Sequence, residues 1–390
     1  MRIVDIRAHV CNAAWRNWVF VEVETDTGLI GYGEATVEGR ELTMLGHFED
    51  LKRVIVGMEP HNINAIKRQL TRDPFWVGGF VAGSGLAGIE IACWDILGKS
   101  LGVPIWQLFG GRLRDRVPVY ANGWYFGAKT VDEWVERASQ VTELGYRALK
   151  FDPFGRADLS IDRHELELAQ DIVSGLRAEL GPRIDLLIEG HGRFNIESAL
   201  KISPMLVENQ CLFFEEPVPP GMPWATARVA AEAGIAIAGG ERCYSTFDAQ
   251  AYLDATAVQV LQPDVVHAGG ISETVSMANM AHMRMVSLAP HNPNGGIATA
   301  ATLMVDAVVP NFLIQEMLAP WDVAWRHEVV RGVPDVVDGY LKIPDAPGLG
   351  IELDLEAVRA HPFQPVDPAL WNASSIMESV DLRPTDGVTP

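Results

Sequence analysis

Ile184-Asp185-Leu186-Leu187-Ile188-Glu189 is a short apolar run that ends in a carboxylate. Leu212-Phe213-Phe214-Glu215 repeats the pattern, and Ile235-Ala236-Ile237-Ala238 leads through two glycines to Glu241. Val258-Gln259-Val260-Leu261 precedes Asp264, Val286-Ser287-Leu288-Ala289 precedes His291, and Phe312-Leu313-Ile314 precedes Glu316. The steps between these ionisable residues are 26, 26, 23, 27 and 25 residues, each the length of one strand and one helix. Val117-Pro118-Val119-Tyr120 and Ala148-Leu149-Lys150-Phe151 extend the series upstream, giving eight runs. Amphipathic pieces lie between them: Val131–Leu144, Asp162–Leu180, Ile196–Val207 and Trp224–Ala233. Alternating strand and helix signals predict a parallel sheet covered by helices. Eight in succession predict a closed β/α barrel.

The N-terminal part has another rhythm. Val19–Thr25 alternates like a half-buried strand, Asp26-Thr27-Gly28 is a turn signal, and Leu29–Glu34 continues as a second strand. Helical spacing follows from about Glu41, and Ser84–Leu101 is an apolar helix with Gly102 as its stop. The first ~115 residues therefore form a β-then-α unit of their own. Late in the chain Pro347-Gly348-Leu349-Gly350 signals loop and strand again. The tail from about Pro365 has little periodicity and is expected to pack outside or on the N-terminal unit.

Bulk properties narrow the function. A chain of 390 residues with 48% hydrophobic content has material for a large core. The net charge of −20 argues against nucleic acid as a partner. It leaves an anionic small molecule open, because a bound cation reverses the local field. No apolar run is read as long enough to span a membrane, and the start carries no signal-peptide pattern, so a cytoplasmic protein is expected. The four scattered cysteines form no CxxC pair and are expected to be inert thiols.

In a barrel all strand C-termini open on one face, where the active site lies. A single Glu after an apolar run is ordinarily a helix cap or a solvated charge. Six ionisable groups at near-constant phase are not. Burying that much negative charge requires a cation, and three carboxylates on adjacent strands, Glu189, Glu215 and Glu241, suit one Mg²⁺. Such an ion can present its charge to a substrate carboxylate while the neighbouring C–H proton is removed. His291 is the candidate base, Asp264 can orient it, and Glu316 can donate a hydrogen bond to the intermediate.

At these residues the sequence resembles the mandelate racemase subgroup of the enolase superfamily, whose use of a Lys or His base with Mg²⁺ is a known pattern. Phe214-Glu215-Glu216-Pro217, Gly240-Glu241-Arg242 and Gln262-Pro263-Asp264 carry the likeness, which covers nearly the whole chain. It implies a (β/α)7β barrel with an α+β capping domain to which both chain ends contribute. The expected divisions are residues 1–116 for the cap, 117–342 for the barrel and 343–390 for a segment returning to the cap. It also implies Glu189, Glu215 and Glu241 as metal ligands, although the first is usually Asp. Asp264 and His291 correspond to the Asp-His dyad, and Glu316 to the electrophilic acid.

Two departures point to a reaction. Many members carry Lys-x-Lys at the second barrel strand; here Lys150-Phe151-Asp152 lacks the second Lys, which argues against a racemase. Glu189-Gly190-His191-Gly192-Arg193 is similar to the segment of galactonate dehydratases in which the His protonates the departing hydroxyl. The resemblance thus implies a sugar-acid dehydratase with His291 as base and His191 as acid. Epimerisation or lactone cycloisomerisation through the same enediolate is the alternative, and a non-catalytic binding barrel is a distant one. Lys150, Asp152, Trp18, Tyr125 and Trp321 are candidate substrate-binding residues. A homo-oligomer is expected.

Overall fold

A computed structural model of the chain describes residues 1–318 and 321–366. The final part of the expected C-terminal segment, residues 367–390, lies outside the described residues. Three antiparallel strands open the chain: β1 (Ile3–Ala13), β2 (Arg16–Thr25) and β3 (Ile30–Glu34). The hairpin read from sequence is β2–β3. The strand β1 was not read, because its His, Arg and Asn residues blur the alternation. Helices Glu41–Ile55, Ile63–Thr71 and Gly79–Leu101 follow. The last lies so close to β3 that a Cβ on Gly33 would stand 1.9 Å from the carbonyl oxygen of Gly88. Only glycine permits that approach.

The helix Gly79–Leu101 corrects one expectation. Its 23 residues are long and apolar enough to cross a membrane by length and composition alone. Its surroundings argue for a core helix, since 72% of the apolar window is buried and Glu90 and Asp95 lie within it.

Eight strands then alternate with seven helices. They are β4 (Arg116–Ala121), β5 (Ala148–Phe151), β6 (Asp185–Glu189), β7 (Phe213–Glu215), β8 (Ile237–Gly239), β9 (Val260–Leu261), β10 (Ser287–Leu288) and β11 (Gln315–Met317). They pair in parallel in the order β10-β9-β8-β7-β6-β5-β4-β11. A parallel bridge between Leu288 and Phe312 closes the cylinder. The last run sits differently from its expected place: Phe312 and Leu313 serve this closure, and the ladder with β4 starts only at Gln315. Glu316 is therefore inside a strand, not after one.

One apolar side chain from each stave fills the barrel: Tyr120, Ala148, Leu187, Phe213, Ala238, Val260, Ala289 and Ile314. Side chains two positions apart on a strand share a face. The next inward positions are therefore Asn122, Lys150, Glu189, Glu215, Gln262, His291 and Glu316. The dry layer of the core thus sets the phase of the polar ring above it. On β8 the rule is broken by Gly240, whose φ of 127° turns the chain so that the next residue, Glu241, takes the position.

The cap is bolted to the barrel by buried carboxylates. Glu34 accepts hydrogen bonds from the backbone N–H groups of Gly295 and Ala298, at 2.7 and 2.8 Å, where helix Gly296–Val308 begins. Glu90 likewise accepts from Ile271 and Ser272, at the start of helix Ile271–His282. Orphan N–H groups and the helix dipole both favour an anion there. The returning C-terminal part also reaches the cap, with Asn12 N donating to His361 O at 2.8 Å. All four cysteines are free, and burial pushes the thiol of Cys211 up to about 12.

Candidate active site

Glu189, Glu215 and Glu241 converge at the strand C-termini, each offering a carboxylate oxygen within 4.8 Å of the others. Three carboxylate oxygens drawn together in this way are the kind of donor set a hard divalent cation takes. The charge state of the trio fits a cation as well. Burial pushes the carboxyl of Glu189 up to about 7 and that of Glu215 well above the usual range. A divalent ion would reverse both shifts. Glu241 is only partly buried; desolvation works against its ionisation, yet His291 and Arg242 pull it down to about 2. The residues present fit a hard divalent cation.

Lys150 lies among the carboxylates. Its Nζ is 2.8 Å from Glu215, 3.0 Å from Glu316 and 3.3 Å from Glu189. Burial alone would lower its pKa, but Glu215 and Glu316 hold it well above the ordinary value. It is a fixed internal cation. Its donors are engaged by Glu215, Glu316 and Glu189.

His291 Nδ1 donates to Asp264 Oδ2 at 2.8 Å, and its Nε2 lies 3.4 Å from Glu241 Oε2. Asp264 also accepts from Asn294 Nδ2 at 2.8 Å and from the Val266 backbone. His267 stands 3.9 Å from it and bonds Ser84 of the cap at 2.9 Å. His191 has its own partner: Nδ1 to Asp152 Oδ2 is 2.7 Å. Arg193 also holds Asp152. The His191 backbone has φ 51°, a left-handed conformation uncommon for a residue with a side chain, and its N–H donates to Glu189 Oε1 at 2.7 Å. One turn thus joins a candidate ligand to a candidate acid.

Glu316 accepts from Asn122 Nδ2 at 2.7 Å, from the Asn292 N–H at 2.9 Å and from Lys150. Burial works against ionisation, but Lys150 and His291 outweigh it and hold the carboxyl below its usual range. As seen, Glu316 is an acceptor, whereas the expected donor role needs its protonated form. Of the aromatic candidates, Trp18 and Tyr125 are buried and Trp321 is half-buried. Trp18 is fully buried, with the Arg16 and Arg326 guanidinium groups 5.6 and 5.7 Å from its ring. Tyr125 stacks on Trp134 at 5.0 Å, and Trp321 tilts against Tyr146. Gln262 and Asn122 were not singled out from sequence. The inward period of their strands carries the signal that finds them, since Gln262 Nε2 donates to Glu215 at 2.7 Å.

A capped (β/α)7β barrel with a glutamate trio on successive staves defines a class. Residues 6–110 match the family described as mandelate racemase / muconate lactonizing enzyme, N-terminal domain, and residues 133–358 match the enolase C-terminal domain-like family. The chain belongs to the enolase superfamily, in its mandelate racemase and muconate lactonizing enzyme group.

Among its relatives, a D-galactonate dehydratase of Cronobacter sakazakii is 35% identical over 348 residues, 88% of this chain and 90% of the relative. A D-gluconate dehydratase of Thermoproteus tenax is 33% identical over 358 residues, 90% of this chain and 72% of the relative. The solved structure of a mandelate racemase/muconate lactonizing enzyme-like protein from Roseovarius sp. TM1035 superposes with a TM-score of 0.88 at 32% identity. It covers 94% of this chain and 97% of that one.

Proposed function

We propose that this chain is a Mg²⁺-dependent sugar-acid dehydratase, a hydro-lyase that converts an aldonate-type substrate to its 2-keto-3-deoxy acid. The observation that carries the reading is the pair of histidines, each fixed through Nδ1 by a buried aspartate, beside one glutamate trio. The two dehydratase relatives support it.

Glu189, Glu215 and Glu241 would hold the ion, which when bound supplies positive charge to the substrate carboxylate and to the negative charge that grows on it. His291 Nε2 takes the proton from the carbon next to that carboxylate, and Asp264 stabilises the imidazolium that forms. The electron pair of the broken C–H bond becomes the C=C bond of an enediolate. That pair then expels the β-hydroxyl, to which His191 delivers a proton. One water leaves, and the enol tautomerises to the ketone. Lys150 offsets part of the charge beneath the trio, and Glu316 accepts hydrogen bonds at the eighth strand.

Epimerisation would need a second base opposite His291. Lys150, engaged by three carboxylates, is poorly placed to release a proton acceptor. The test is a screen of mono- and diacid sugars with purified enzyme, with and without Mg²⁺, for 2-keto-3-deoxy product. Metal-dependent product from at least one acid is expected. Epimers without loss of water would instead identify an epimerase.

A further inference from the structure

Four groups bear on the carboxylate of Asp264. Its Oδ2 accepts from His291 Nδ1 and from Asn294 Nδ2, both at 2.8 Å, and its Oδ1 accepts from the Val266 N–H at 2.8 Å. The fourth neighbour is His267, whose Nε2 stands 3.9 Å from Oδ2. The chemistry proposed above makes no use of His267.

The other ring nitrogen leads out of the barrel. His267 Nδ1 lies 2.9 Å from Oγ of Ser84, which is fully buried on the cap helix Gly79–Leu101. Charge decides which atom donates. A carboxylate faces Nε2 and favours a proton there, so Nδ1 is left to accept and Ser84 donates its O–H. At 3.9 Å the Nε2–H is too far for a hydrogen bond to Asp264, but its attraction to a buried carboxylate is weakly screened. Burial alone would raise the Asp264 carboxyl, and His267 together with His291 holds it below the ordinary range.

This contact belongs to a longer seam. Between Gly83 and Glu90 the cap helix lies along residues 267–270, the turn that follows Asp264. A Cβ on Gly83 would stand 2.4 Å from the His267 carbonyl oxygen, and one on Gly270 would stand 2.1 Å from Glu90 Oε2. A side chain at either position would push helix and turn apart. The cap reaches the other partner of Asp264 as well. Asn294 O accepts from Arg326 Nη1 at 2.8 Å, Arg326 pairs with Asp322 at 2.6 Å, and Asp322 pairs with Arg16 of β2 at 2.9 Å. Glu34 of β3 accepts from the next N–H, that of Gly295, at 2.7 Å. Cap side chains are thus tied to both loops that carry the Asp264–His291 pair.

We propose that His267 is a positioning residue for the base: tied to Ser84 of the cap helix, it fixes the Asp264 carboxylate on His291 Nδ1, so that the pair is ordered only when the cap is seated on the barrel. The inference rests on the reading of His291 as the base. A histidine that only fills space is replaceable by an apolar side chain of similar size. One that acts through Nε2–H is replaceable only by another donor at that point. Gln carries such a donor in its amide, and Leu carries none.

Proton NMR of the full-length protein without substrate tests this. The Nδ1 proton shared by His291 and Asp264 should give a low-field signal, identified by its loss in His291→Asn. His267→Leu and Ser84→Ala should each shift or broaden that signal, and His267→Gln should restore it. The second readout is exchange of the α-proton in deuterated water, on an acid that the sugar screen shows to turn over. Its kcat should fall by about 10-fold in His267→Leu and in Ser84→Ala, the scale on which outer partners of a site act, with KM held within about two-fold and recovery in His267→Gln. Ser84→Ala probes the same link if His267→Leu misfolds. A wild type without the low-field signal overturns the proposal. So does a signal that neither His267→Leu nor Ser84→Ala alters, and so does a His267→Gln protein no better than His267→Leu. The NMR measurement needs no substrate. A screen without turnover would therefore defeat the dehydratase reading, while the signal still decides the role of His267.

Discussion

Asp152 Oδ2 lies 2.7 Å from His191 Nδ1, the same pairing of atoms that joins Asp264 to His291 at 2.8 Å. Asp152 is itself braced by Arg193 and accepts from the Phe154 N–H at 3.0 Å. Burial alone would raise its carboxyl, but Arg193 and His191 hold it below the ordinary range. An ionised acceptor at Nδ1 fixes the ring so that Nε2 is left for substrate. Asp152→Asn should therefore slow water loss by about 100-fold and leave the rate of α-proton exchange in deuterated water nearly intact. Equal loss of both rates would show that Asp152 merely holds the fold.

The two histidines are separable by the same isotope experiment. His291→Asn should abolish both exchange and dehydration, by about 10³-fold or more if it is the base. His191→Asn should stop water loss yet permit exchange. Unchanged turnover in either variant removes the role assigned to it.

Asp306 gives a prediction about stability and pH. It is fully buried in helix Gly296–Val308, and among the described residues neither of its carboxylate oxygens has a hydrogen-bond partner. Burial raises its carboxyl well above the ordinary 3.8, and Arg114 offsets only part of the rise. The folded chain thus keeps a proton that the unfolded chain releases. Stability from this group is complete below the unfolded value and declines as pH rises towards the folded one. Asp306→Asn cannot ionise, so its Tm advantage over wild type should grow between pH 5 and pH 8. Thermal melts across that range would contradict the account if the advantage shrank.

The dry layer under the site predicts coupling between packing and binding. Leu187→Ala removes a fully buried side chain two positions before Glu189. It should cost about 2–5 kcal/mol in denaturant unfolding. Metal affinity should fall with it. A stability loss with unaltered affinity would argue that the layer does not position the trio.

Much of this site was legible because barrel strands repeat at one length, so Glu189, Glu215, Asp264, His291 and Glu316 recur in phase. The rest depends on contacts between distant parts of the chain. Nothing local says that Lys150 will sit among three carboxylates, or that Asp152 will bond a histidine 39 residues later. Glu34 and Glu90 read as ordinary charges in a strand and a helix. Their work as caps on barrel helices exists only once cap and barrel meet. The burial of Trp18 and Tyr125 was equally out of reach, because an aromatic near a predicted mouth looks open until its neighbours pack on it.

The glutamate trio is the centre of the account, and metal titration of the purified apoprotein probes it most directly. Mn²⁺, followed by its electron paramagnetic resonance signal with Mg²⁺ as competitor, should bind at one ion per subunit. Glu215→Gln should weaken that binding by 10-fold or more, the scale on which lost metal-site contacts act. Saturable binding at one site, displaced by Mg²⁺ and lost in the variant, is the result expected. No binding, or binding that Glu215→Gln leaves unchanged, would contradict it.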